Sequence, residues 1–137
     1  MKSTRPEGQR IAIAAESLYL ANLLILPGIG FLLLLALAFW GREGRAPLAA
    51  AHLDQTVRAS LWAGLLLIIV ISAVMAIAGA GAMYVWTLVI LYFIVCHTTL
   101  VLLGVFGLAK ALAGHCWRYP LVGPPLPGGC PQAKRHV

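Results

Sequence analysis

The chain has 137 residues, of which 61% are hydrophobic and 10% charged, with ten Lys and Arg against four Asp and Glu and a formal net charge of +6. A mean hydropathy of +0.92 excludes an ordinary water-covered globule and points to one all-α integral membrane domain. The cations sit at the ends of apolar runs, where they read as topology determinants, and nothing resembles a nucleic-acid module.

Residues 1–10, MKSTRPEGQR, form a short basic tail. The apolar run from Ile11 to Gly41 carries Glu16 and Asn22 and lacks a small-residue cleavage site, so it reads as a retained segment. It is broken at Leu26-Pro27-Gly28-Ile29-Gly30, where proline removes an amide donor and two glycines loosen the backbone. Two arrangements follow. A single kinked span sets Lys2, Arg5 and Arg10 opposite Arg42, Arg45 and Arg58. A reversal at Pro27-Gly28 instead makes a helical hairpin of two helices, about 22 Å each, and gathers every Lys and Arg on one side. The second is preferred, with Pro27 to Gly30 covered by other helices, because bare backbone is not tolerated in lipid. Glu16, near the start of the run, is expected to reach the polar boundary.

Arg42 to Pro47 is a polar turn, and Pro47 suits the first turn of a helix. Leu53, Val57 and Leu61 share one stripe while His52, Gln55 and Arg58 lie elsewhere on the surface. This reads as a short interfacial helix, with His52 and Arg58 at the boundary, joined to a span over residues 59–78. Ser60 and Gly64, and again Ser72 and Ala76, lie four apart, which lets helix backbones approach closely. After the uncharged Gly79-Ala80-Gly81 turn, Met83 to Leu108 outreaches a hydrocarbon core of about 30 Å, completing a two-helix hairpin. Tyr84 and Trp86 suit one interface and Lys110 the other. Cys96, His97, Gly104 and Gly107 join the packing positions, and a close pair of spans is the expected core.

Cys96-His97-Thr98-Thr99 lies near the middle of this last span. An ionisable residue there is expensive and usually partnered. The leading reading has neutral His97 donating to a backbone carbonyl or to Asn22, the next a contact with a partner subunit, and the last copper at Cys96 and His97 or haem at His97. No cofactor is expected on balance, because adjacent helical residues point about 100° apart and cannot both aim at one metal.

Beyond Gly114, a C-cap, His115 and Cys116 with Cys130 are weaker candidates for a boundary metal site. Three cysteines leave one over and show no CxxC spacing, so a disulfide framework is not expected. Trp117, Arg118 and Tyr119 suit the headgroup layer. Residues 122–137 are rich in Pro and Gly and read as a tail or docking peptide outside the helical domain of residues 1–121.

The Leu26 to Gly30 break, the run closing in Trp40, the segment His52-Leu53-Asp54-Gln55-Thr56-Val57-Arg58 and the Arg118-Tyr119-Pro120-Leu121 ending follow one another in a familiar order. In this the chain resembles, over residues 16–123, the small Tic20-like bacterial membrane proteins, a family that includes the magnetosome proteins MamF and MmsF. The resemblance implies a multi-pass topology more firmly than any activity; Cys96-His97 and the Pro-rich tail stand outside its pattern. Together with the cation distribution it leads to an expected place in the bacterial inner membrane, both termini cytoplasmic. No phosphate-binding glycine loop, nucleophile elbow or hydrolytic constellation is present, which argues against an enzyme. The expected function is therefore an accessory or structural subunit among membrane lipids, packed on a larger complex or on itself. A channel or translocation role is the alternative, with Asn22, Ser72, His97, Thr98 and Thr99 as polar lining, and metal or haem handling comes third.

Overall fold

The structure, a computed structural model, describes residues 5–40, 44–79, 81 and 83–130. Lys2, Arg42, Ala80, Lys134 and Arg135, which entered the topology argument, lie outside the described residues. Among those described there are four helices and no strand: α1 Gln9–Leu24, α2 Ile29–Phe39, α3 Pro47–Ala78 and α4 Met83–Leu112. Both α3 and α4 are long and apolar enough to cross a membrane.

The Pro27 region separates α1 from α2, and one side chain organises the turn. Asn22 Oδ1 accepts from the backbone N–H of Gly28 at 2.9 Å and of Phe31 at 3.1 Å, satisfying the first turn of α2 from a distance. Gly28 has φ +84°. A Cβ on Gly30 would lie 2.7 Å from the Asn22 backbone, so only glycine lets the two helices approach this closely. From there α2 runs back beside α1, with Leu34, Leu37 and Ala38 packed near Ala15, Leu18 and Leu53. Its last carbonyls, on Leu37, Ala38 and Trp40, accept from the Arg45 guanidinium.

Pro47 begins α3 in its first turn, as expected. The helix loosens into a π-helical stretch over Leu65–Val70. At its far end α4 closes with a glycine motif: Gly114 has φ +71°, its N–H meets the Ala111 carbonyl at 3.0 Å, and His115 N–H meets the Lys110 carbonyl at 3.0 Å. The Gln9 side chain adds bonds to the Ala111 and Leu112 carbonyls.

The core differs from the expected pair of spans. The centre is α1, which touches α2, α3 and α4. Gly104 lies against Tyr19 and Leu20, and Gly107 against the Glu16 carboxylate, so these small residues of α4 receive α1 and not α3. Ser72 and Ala76 are exposed. From residue 64 to residue 99 the sole buried residue among those described is Val85, and this half of the molecule is a two-helix arm. The hydroxyl of Tyr92 ties it together by donating to the Leu66 carbonyl at 3.0 Å.

Two further expectations are corrected at the opposite end, the base. Cys116 and Cys130 form a disulfide across 14 residues, and the segment 122–130 is no free tail. Leu126 and Cys130 pack on Ala12, Leu48, Ala51 and Ala111. Proline-rich chain buries little on its own, but here the crosslink holds it on a surface of small side chains where three helices begin or end.

Candidate functional site

Inside the base lies a closed polar cluster. Glu16 of α1, His52 and Gln55 of α3, and Tyr119 beyond α4 are 0 to 1% exposed. Helical spacing builds it from each side: Ala12, Ala15, Glu16 and Tyr19 form the buried face of α1, while His52 and Gln55, three apart, lie together on α3.

The Glu16 carboxylate is the hub. Its Oε1 lies 2.6 Å from His52 Nδ1 and accepts from the Gln55 amide at 2.8 Å; its Oε2 accepts from the Tyr119 hydroxyl. Gln55 Oε1 in turn accepts the Tyr119 backbone N–H at 3.2 Å. His52 Nε2 faces the His115 carbonyl at 3.1 Å, and since a carbonyl only accepts, that nitrogen carries hydrogen. Nδ1 and Oε1, 2.6 Å apart, are close enough to share a hydrogen. This is how a carboxylate is kept in a sealed interior: three donors replace its water. Burial first, and then the charge and hydrogen bond of Glu16, hold the Tyr119 phenol protonated far above its ordinary value of 10.0.

Its members are sealed from solvent, and the cluster acts as a clamp. It joins α1, α3 and the segment after α4, and Gly107 is the point at which α4 makes room for the carboxylate. Nearby, the Tyr19 hydroxyl donates to the Leu100 carbonyl at 3.1 Å, which fixes α1 against α4 one level further along.

The second feature is a groove of about 680 Å³ past the α1–α2 turn, lined by Asn22, Phe31, Ser60, Gly64, Phe93 and His97 among others. It lies halfway along α4. Ser60 Oγ and His97 Nδ1 are buried without a hydrogen-bond partner, and the His97 ring stacks on Phe93 at 5.1 Å and 10°. The expected bond from His97 to a carbonyl or to Asn22 is therefore not made through Nδ1. The Asn22 oxygen is instead used by α2.

Several expected site residues stand elsewhere. Glu16, expected at the polar boundary, is fully buried, as are His52, Gln55 and Tyr119, which had been read as surface or headgroup residues. Arg58 and Arg118 are exposed; Arg118 donates to the Gly123 carbonyl at 2.9 Å. Trp117 is half-buried between Phe106 and Tyr119. Cys116, bonded to Cys130, has no thiolate to offer beside His115. Cys96 is a free thiol, and among the described residues no three His, Cys, Asp or Glu side chains gather as metal ligands. Of the polar residues considered as channel lining, Asn22 and His97 share the groove, whereas Ser72, Thr98 and Thr99 are exposed on the helices.

Sequence reasoning missed the clamp. Its signal was the acidic residue set among the small residues of α1 together with the i, i+3 pair His52 and Gln55, two polar positions on one face of a helix otherwise rich in Ala and Leu. No family model, curated protein or solved structure matches the chain.

Proposed function

We propose that the chain is a non-catalytic integral membrane protein whose clamped base lies at the cytoplasmic boundary of a bacterial inner membrane. Its two-helix arm packs against a larger membrane complex or a second copy of itself. The observation that carries this reading is the exposure of the arm: Leu65, Ile68, Ile69, Ile77, Leu88, Ile90, Leu91 and Ile94 are all exposed apolar side chains on helices long enough to span. So continuous an apolar surface is left uncovered only where lipid or protein completes it.

In the same reading α1 and α2 enter and leave by the base, reaching halfway across, and the described cations Arg5, Arg10, Arg45, Arg58, Lys110 and Arg118 share that side. Kinship with the Tic20-like proteins belongs to this proposal and rests on the segments His52 to Arg58 and Arg118 to Leu121.

Two measurements test it. Single cysteines at Ser72 and Ile77, in a background with Cys96, Cys116 and Cys130 all replaced by Ser, are expected to crosslink to one discrete protein product in native membranes. Crosslinks to lipid alone, with lone monomers after gentle extraction, would overturn the subunit reading. Orientation is decided at Cys116 and Cys130, since a cytoplasmic base keeps them as thiols under the reducing pool. Rapid trapping of intact cells with a permeant maleimide should then label both, whereas a persistent disulfide places the base on the oxidising side.

A further inference from the structure

The groove past the α1–α2 turn combines three features that a lipid-filled crevice does not need. First, its depth is set from both sides. The Tyr19 bond to the Leu100 carbonyl and the seat of Gly104 on Tyr19 and Leu20 bring the last turn of α1 to the level of His97, midway along α4. The α1–α2 turn stops there, and the space beyond it is left open between α3 and α4.

Second, two of its polar atoms are buried hydrogen-bonding groups without partners. Ser60 is 6% exposed with an unpartnered hydroxyl, and His97 Nδ1 is equally unserved. An unpaired polar group in an apolar setting is costly, and the two beside this groove, a hydroxyl and an imidazole nitrogen that can each donate, suit a ligand that accepts hydrogen bonds. No charged side chain lines the groove, so the ligand is neutral.

Third, the walls are flat and apolar. Phe31 and the mutually stacked Phe93 and His97 rings line it, and a volume of about 680 Å³ lies in the ordinary range for a small-molecule site. The π-helical stretch Leu65–Val70 forms part of the wall, and such irregular turns are frequent at binding sites.

The geometry points to a binding site for a neutral membrane-dissolved lipid with a planar, hydrogen-bond-accepting head, an isoprenoid quinone, held by Ser60 and His97. Its two carbonyl oxygens take the donated hydrogens, its ring lies beside Phe93 and His97, and its tail leaves through the open side of the groove. The inference concerns binding alone and involves no electron transfer.

The full chain in phospholipid nanodiscs, titrated with tritiated decylubiquinone and with tritiated hexadecane as a probe lacking the head, tests it. Quinone retention should saturate near one per chain while hexadecane partitions linearly. Replacing Ser60→Ala or His97→Leu should weaken quinone retention about tenfold each, the effect of one lost buried hydrogen bond. Gly64→Leu should abolish it by filling the groove, since a Cβ at Gly64 meets nothing within 4 Å. Equal retention of hexadecane would show that acyl chains occupy the groove. Linear quinone partitioning that is the same in the wild type, Gly64→Leu and the Ser60→Ala, His97→Leu double variant would equally overturn the site.

Discussion

The base and the arm are built from the same two long helices yet solve opposite problems. In the base, four segments converge and a carboxylate, an imidazole, an amide and a phenol are buried together with their bonding capacity used. In the arm α3 and α4 stand largely alone, few polar groups occur, and the groove at its root holds an unpartnered hydroxyl and ring nitrogen. The difference teaches where specificity resides. A polar group sealed inside protein must be matched by neighbouring elements and so fixes their register, whereas an apolar helix in lipid gains little from any one neighbour.

The contrast is broken most severely at its hub. Glu16→Leu strips the acceptor from His52, Gln55 and Tyr119 at once and should cost the base about 3–5 kcal/mol, the usual loss when one partner of a buried pair is removed. Thermal unfolding in detergent measures it, and the same scan on Ser72→Leu in the arm should show no loss. Releasing the strap comes next. Measured against purified protein with the disulfide formed, Cys130→Ser should cost about 2–4 kcal/mol and open the chain at Arg118 to trypsin, leaving the arm unaltered; an unchanged cleavage pattern would mean that the segment 122–130 is held without the disulfide.

Small residues sharpen the comparison. At Gly107 an added methyl collides with the Glu16 carboxylate, and Gly107→Ala should destabilise by about 1–3 kcal/mol through overpacking. At Gly64, where space is open, Gly64→Ala should stabilise by about 0.5–1 kcal/mol by removing backbone freedom from the unfolded chain. Equal effects at the two sites would erase the distinction between base and arm.

The base also carries a pH dependence at Tyr119. The unfolded phenol of Tyr119 loses its proton near its ordinary value of 10.0, while the folded one keeps it, chiefly through burial and then through Glu16. Stability from this group is therefore whole below pH 10 and falls as the pH rises past it, by at most about 1.4 kcal/mol per pH unit. Tyr119→Phe should flatten that alkaline limb in pH-resolved unfolding curves.

Much of the scaffold was legible in the residues. Pro47 marks a helix start because its missing amide is an orphan there anyway, and Gly114 marks a helix end because it takes the left-handed conformation cheaply. The break at Pro27 to Gly30 was visible for the same local reasons. The clamp was not legible, because Glu16 near the start of an apolar run and His52 in a helix that begins with proline each make sense as boundary residues when taken singly. Their meaning depends on Tyr119, more than sixty residues further on.

What the sequence by itself determined is the helical class, the greasiness of the long runs and the places where the chain can start or break a helix, since these follow from hydropathy and from the backbone limits of proline and glycine within a few residues. Only the tertiary structure decided that α1 is the shared core element, that Gly104 and Gly107 make room for it, that Cys116 finds Cys130, and that Glu16 is enclosed. Each of these depends on which distant side chain fills a given space, and no local pattern of residues carries that information.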